Sequence, residues 1–260
     1  MPPISQKPLI LVSNDDGITA PGIRLLVEVM QELGEVVVVA PNRPQSGMGH
    51  AITIGNALRL DKTDIFEDVR AYECSGTPAD CVKLAKHFVL KDRKPDLVVS
   101  GVNHGSNSSI NVIYSGTMSA AMEAAVEELP AIGFSLCDYG HQAEMSHIRP
   151  YVKLIAQTVL DKGLPRGIAL NVNMPAFSEK HPIQGIRVCR QTMGHWGEEF
   201  DERYDPYGRP YFWLTGNFVN RDRGEDTDEW ALAHHYISVV PCHCDLTAHH
   251  ALRELNEWGL

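Results

Sequence analysis

The chain has 260 residues, 43% of them hydrophobic, and a formal net charge of −10. That length suits one large domain or a main domain with a small appendage, and the hydrophobic content supplies an ordinary globular core. The acidic balance speaks against a nucleic-acid polymer as partner, because such binding relies on Lys and Arg at the phosphates. No apolar run nears the roughly 20 residues of a membrane span, and residues 1–7 hold no leader-type apolar block, so a cytoplasmic location is expected.

In chain order, residues 8–13 (PLILVS) read as a buried strand. Residues 21–33 have helical spacing, with Ile23, Leu26, Val27 and Met30 on one face and Pro21 in the first turn. Residues 35–40 (EVVVVA) are a β-branched run suited to a strand covered on both faces. Residues 51–60 partly alternate and suggest a hairpin excursion, and residues 70–74 a further strand. Thr77 is placed to cap a helix running to about Leu90, with Pro78 in its first turn. Residues 95–100 (PDLVVS) read as a strand, and 117–128 as a helix stopped before Pro130. Strands at 131–136 and 168–172 flank a helix near 147–160. Strand alternating with helix predicts a Rossmann-like three-layer α/β core with a mostly parallel sheet over residues 1–175.

Beyond Met174-Pro175 the character changes. Residues 184–213 are aromatic and turn-rich hairpin material, 217–229 an acidic loop, 236–240 a strand and 247–258 a terminal amphipathic helix. Residues 176–260 therefore read as a smaller β-rich appendage suited to oligomerisation.

Ligands of open α/β sheets sit beyond the carboxyl ends of the strands. The loops there are Ser13-Asn14-Asp15-Asp16-Gly17, Asn42-Arg43-Pro44-Gln45-Ser46-Gly47 and Gly101-Val102-Asn103-His104-Gly105-Ser106-Asn107. They offer carboxylate, hydroxyl and amide oxygens without paired thiols, which suits a hard cation such as Mg²⁺ or Mn²⁺ rather than zinc. Asp15 as a helix cap with Asp16 facing water is the plainer account of the pair, and the two other oxygen-rich loops weigh against it. Tyr114-Ser115-Gly116-Thr117 opens the alanine-rich helix. Its free N–H groups suit phosphate, although taken alone the segment reads more simply as ordinary N-capping by Ser115 or Thr117. A cation to polarise phosphate and activate water, with amides to hold its oxygens, meets the needs of phosphoryl hydrolysis. No D-x-D-x-T follows the first strand, and neither a G-x-G-x-x-G fingerprint nor a Walker loop is present.

The segments LVSNDDGITAPGI (11–23), VVAPNRPQSG (38–47), SGTPADCV (75–82), PDLVVSGVNHGSN (95–107) and YSGTMSAAMEA (114–124) resemble the SurE family of stationary-phase survival proteins. Weaker matches follow at LNVNMP (170–175) and ISVVPCHCDLTAH (237–249). The resemblance implies a metal-dependent 5′-nucleotidase acting on nucleoside monophosphates, with 3′-nucleotides and short polyphosphate as further substrates. It implies one divalent cation per subunit, held by Asp15, Asp16, Ser46 and Asn103. Asn103, Gly47, Ser115, Gly116 and Thr117 would hold the phosphoryl oxygens, and Asp15, Asp16 and Asn103 would carry the catalysis. It also implies a homo-dimer or homo-tetramer built partly by exchanging C-terminal elements. His104 and Ser106 stand where many members have a small residue and proline, and Asn111 where an acidic residue is common. These departures bear on nucleotide preference. The alternative on the same scaffold is a nucleotide sensor without catalysis.

Weaker signals have plainer readings. Cys242-His243-Cys244 lacks a second ligand pair and reads as core thiols on a strand; all six cysteines read as free thiols. Glu225, Asp226, Asp228 and Glu229 read as a solvated loop rather than a second cation site. His195-Trp196 reads as packing rather than base stacking, and His234-His235 as a surface pair.

Overall fold

The computed structural model describes residues 7–140 and 143–259; of the N-terminal stretch read above for a leader, only Lys7 lies within the described residues. Strands β1 (Leu9–Ser13), β2 (Glu35–Pro41), β3 (Leu60–Thr63), β4 (Arg70–Cys74), β5 (Leu97–His104), β6 (Ala131–Cys137) and β7 (Ile168–Pro175) come from the first two thirds of the chain. Helices α1 (Pro21–Gln31), α2 (Pro78–Leu84), α3 (Gly116–Val126) and α4 (Arg149–Lys162) run between them. Then follow β8 (Gly185–Val188), β9 (Gly194–Gly197), β10 (Phe200–Tyr204), β11 (Pro210–Leu214), β12 (Asn217–Asn220), α5 (Asp228–Ala233), β13 (Tyr236–His243) and α6 (Leu252–Asn256).

One sheet carries nine strands in the order β3-β4-β2-β1-β5-β6-β7-β13-β8, parallel except where β3 meets β4 and β13 meets β7. Alternation along β1 divides the core. Ile10 and Val12 face α1 and α4, together with Ile23, Leu26, Met30, Val152 and Ile155. Leu9 and Leu11 face α2 and α3, with Cys81, Val82, Met118, Ala120, Ala121 and Ala124. Both faces of β1 are buried, as its unbroken apolar run requires. This is the three-layer α/β fold expected, with the small antiparallel pairs β10–β11 and β9–β12 added near the C-terminus.

Several elements differ from the sequence reading. Residues 51–59 form no hairpin; Thr53 N donates to Asp80 Oδ1 at 3.1 Å and Thr77 Oγ1 to Ala51 O at 2.7 Å, so the cap of α2 takes the backbone partners a strand would have used. Thr77 does cap α2, in a box with Asp80, but the helix closes in a π turn at Ala85–Val89. β5 continues to His104, placing Asn103 on the strand rather than in a loop. The acidic loop is partly structured: β12 pairs with β9, and Thr227 caps α5 by accepting from Trp230 N at 3.2 Å. The terminal helix shrinks to a 3₁₀ turn at His249–Ala251 and α6, neither burying a residue. The sheet also crosses residue 175, since β13 and β8 extend it beyond β7.

The chain runs from β1 outward to β2 and β4, then returns to lay β5 on the other side of β1. That reversal makes the ends of β1 and β5 the switch point, the place where open α/β sheets take ligands.

Candidate functional site

The register pairs Ser13 of β1 with Ser100 of β5, so Asp15 and Asp16 leave β1 beside the strand end that carries Asn103. Between Ser100 and Asn103 the β5–β6 register shifts. Gly101 there has φ +123°, and a Cβ on it would lie 2.2 Å from Phe134 O. The irregularity breaks the simple alternation and re-aims the residues beyond it.

Asp15 is 4% exposed. Thr117 Oγ1, in the first turn of α3, donates to its Oδ1, and Gln45 N donates to its backbone oxygen at 2.7 Å. Gly116 leaves room for the carboxylate: a Cβ there would stand 2.6 Å from Asp15 Cβ and 2.8 Å from Oδ2. Burial pushes the Asp15 pKa up to about 6, and the neighbouring Asp16 carboxylate adds to the rise against the Thr117 hydrogen bond. Asp16, half-buried, has Oδ2 3.4 Å from His104 N and 3.5 Å from His104 Nδ1. Among the described residues no Lys or Arg pairs with either carboxylate.

Asn103 donates through Nδ2 to His104 O at 3.2 Å and Gly105 O at 2.8 Å, which leaves Oδ1 as its uncommitted atom. Ser46 and Gly47 are exposed on the loop after β2. Ser115 Oγ accepts from Met118 N at 3.0 Å, so Ser115 is the N-cap of α3. With the Ser115 and Thr117 hydroxyls engaged, what the helix start offers an anion is backbone N–H.

These residues fit a hard divalent cation. Two carboxylates, a hydroxyl and an amide oxygen form an all-oxygen donor set. The buried, unneutralised Asp15 beside Asp16 is an arrangement that a cation relieves. Unpartnered buried atoms collect at the same edge: Ser13 Oγ, Asn14 Oδ1, Ser100 Oγ and His104 Nε2.

The weaker signals resolve into structure. Among the described residues no group of three or more His, Cys, Asp or Glu side chains could hold a metal. Cys242 sits half-buried on β13, and all six cysteines are free. Asp228 is fully buried rather than solvated, accepting from Ser109 N at 2.8 Å, Thr192 N at 2.9 Å and Glu229 N at 2.8 Å. Glu229 accepts from Ser108 Oγ, while Asp226 pairs with Arg190 at 2.9 Å. Trp196 packs edge-on against Phe218 and donates Nε1 to Asn111 Oδ1 at 2.9 Å. His234 is exposed, as a surface reading requires, with its ring stacked on Trp230 at 3.8 Å, while His235 is half-buried with its ring stacked on His181 at 4.6 Å. The second position of Thr117 in the site, as the partner of Asp15, had no local signal in the sequence.

Residues 10–198 match the family model described as Survival protein SurE. A protein named 5′-nucleotidase SurE from Cytophaga hutchinsonii is 69% identical over 253 residues, 97% of each chain. The 5′-nucleotidase SurE of Bacteroides fragilis is 46% identical over 259 residues, 98% of this chain and 99% of its own. The crystal structure of the SurE protein from Aquifex aeolicus superposes with a TM-score of 0.82 at 38% identity, covering 97% of this chain and all of that one. With the family model spanning most of the chain and full-length relatives at these identities, the chain belongs to the SurE family.

Proposed function

We propose that this protein is a 5′-nucleotidase that hydrolyses the phosphomonoester of nucleoside 5′-monophosphates. The observation that carries the reading is the buried Asp15 carboxylate, held between Thr117 and Gly116 at the switch point, in a chain whose full-length relatives bear that name. Asp15, Asp16, Ser46 and Asn103 are the ligands for one divalent cation, Mg²⁺ or Mn²⁺. Bound there, the cation supplies Lewis acidity that polarises the phosphate and lowers the pKa of an attacking water.

The chain's own groups do the positioning. At the start of α3 the Thr117 N–H is drawn to the Asp15 carboxylate, which leaves the Gly116 N–H for a developing negative charge, at no cost of reorganisation when it forms. Gly47 has open space around its Cα, which lets a phosphoryl group approach the backbone. Asn103 presents its Oδ1 because its Nδ2 is tied to two carbonyls. Thr117 keeps Asp15 in one rotamer.

The test is phosphate release from 5′- and 3′-nucleoside monophosphates and short polyphosphate, with Mg²⁺, Mn²⁺ or EDTA, in wild type beside Asp15→Asn. Metal-dependent release from the 5′-monophosphates that vanishes in the variant supports the reading; release from the other substrates sets the breadth. Nucleotide binding without release turns the reading to a non-catalytic sensor. An acid-quenched aspartyl-phosphate would make Asp15 the nucleophile, and its absence assigns the attack to water.

The same reading makes the protein a cytoplasmic homo-dimer or homo-tetramer. No helix among the described residues is long and apolar enough to cross a membrane. Strand β11 exposes Tyr211, Phe212, Trp213 and Leu214, and α6 leaves Leu252 and Leu255 in solvent. A row of large apolar groups in the open suits a protein contact. Light scattering reads the assembly directly; a monomer at micromolar concentration refutes this part.

A further inference from the structure

The loop after β2 is pinned at its ends and closes in a turn between them, Met48 N donating to Gln45 O at 3.4 Å. Gln45 N donates to Asp15 O at 2.7 Å, and Gly49 N donates to Tyr114 O at 3.1 Å. His50 Nε2 lies 2.9 Å from Glu123 Oε2. Between these ties, Ser46, Gly47 and Met48 are exposed, and nothing stands within 4 Å of a Cβ built on Gly47. Ser46 therefore sits at the tip of a turn whose two ends are held by the clamps, and among the described residues its side chain makes no hydrogen bond of its own.

The second clamp is built around a buried carboxylate. Glu123 is 4% exposed and lies on α3. Its Oε1 accepts from Lys83 Nζ of α2 at 2.5 Å, while Oε2 faces His50. Burial alone would raise the Glu123 pKa; the hydrogen bonds from His50 and Lys83 outweigh it and hold the carboxyl below its usual value. A buried carboxylate satisfied from two other elements fixes all three with respect to one another.

Helix α3 thereby acts as a common ruler. Gly116 and Thr117 in its first turn contact Asp15. Glu123, seven residues after Gly116 and so back on the same side of the helix about 10 Å further along, contacts the loop that carries Ser46. The start of the loop is tied to Asp15 directly through Gln45 N, and its end, at Gly49 and His50, is tied to the helix that contacts Asp15. On the reading of Asp15 and Ser46 as ligands of one cation, we propose that the Lys83–Glu123–His50 bridge is a positioning device, with His50 and Glu123 holding the Ser46 loop in place for the divalent cation.

The alternative is that the bridge contributes to folding alone. His50 is the residue to change, since it is exposed and its loss does not open the core. The metal-stripped full-length protein is compared as wild type, His50→Ala, His50→Gln and Asp15→Asn. Calorimetric titration with Mn²⁺, hydrogen exchange at the Gln45 and Gly49 amides, and thermal unfolding are read on each. The expected result for His50→Ala is a Kd for Mn²⁺ about tenfold weaker and faster exchange at Gly49, with a lowered unfolding midpoint because the buried Glu123 keeps only Lys83. His50→Gln, which can still donate to Glu123, restores both. An unchanged Kd or an unchanged Gly49 exchange rate in His50→Ala overturns the proposal, as does a fall in unfolding midpoint with neither altered. If wild type binds no Mn²⁺, or Asp15→Asn binds it as well as wild type, the cation reading fails and the proposal falls with it. Faster exchange at Gly49 would then establish the clamp as loop architecture only.

Discussion

Thr117 Oγ1 donates a hydrogen bond to Oδ1 of Asp15, joining the first turn of α3 to the end of β1 across 102 residues of chain. Both residues are buried, so the bond cannot be exchanged for water without cost. It sets the rotamer of the carboxylate at the centre of the proposed site.

Thr117→Val keeps the shape of the side chain and removes the donor. It is expected to destabilise the protein by about 1–3 kcal/mol, because the Asp15 carboxyl stays buried with its partner gone. Urea denaturation measures this; a midpoint equal to that of wild type would refute the role assigned to the hydroxyl.

Gly116→Ala pits two effects against each other. Alanine raises helix propensity by about 1 kcal/mol, but its methyl would stand 2.6 Å from Asp15 Cβ and 2.8 Å from Oδ2. Displacing Asp15 by a fraction of an ångström or more is expected to dominate in activity, with kcat/KM for a 5′-monophosphate falling by about a hundredfold. Steady-state phosphate release checks it, and a decrease of less than twofold would contradict the packing argument.

The raised Asp15 pKa makes a linkage prediction for the metal-stripped protein. The folded-state pKa of about 6 lies above the ordinary value of 3.8 for an aspartate. The group therefore contributes stability that is present below about pH 4 and lost as pH rises through about 6. The loss amounts to about 3 kcal/mol. Asp15→Asn lacks this dependence, so in EDTA the stability difference between variant and wild type should grow in the variant's favour between pH 4 and 7. A difference that is flat across that window sinks the assignment. Mn²⁺ should stabilise wild type more at pH 7 than at pH 5, since it binds the ionised form.

Asp228→Ala removes the acceptor of the Ser109, Thr192 and Glu229 amides. Stranding buried N–H groups is expected to cost about 3 kcal/mol. It should also loosen Trp196 from Asn111, because Thr192 leads into β9 and Ser109 begins the turn that carries Asn111. Urea denaturation together with Trp fluorescence reads both. Stability within experimental error of wild type would show that water replaces the carboxylate.

What the sequence determined is whatever repeats locally or sits in a short motif. The unbroken apolar runs of β1 and β2, the 3.6-residue spacing of α1, and Thr77-Pro78 before α2 follow from burial, amphipathicity and capping, each confined to a dozen residues. The Asp15-Asp16-Gly17 and Ser115-Gly116-Thr117 motifs were legible for the same reason: strand ends and helix starts expose known donors and acceptors. What only the tertiary structure decided are the pairings. That Thr117 serves Asp15, that Glu123 bridges Lys83 and His50, that Asp228 is buried by amides rather than solvated, and that β13 enters the central sheet antiparallel to β7 are contacts between distant segments. A polar side chain has the same local appearance whether it meets water or a partner a hundred residues away, and packing alone selects between them.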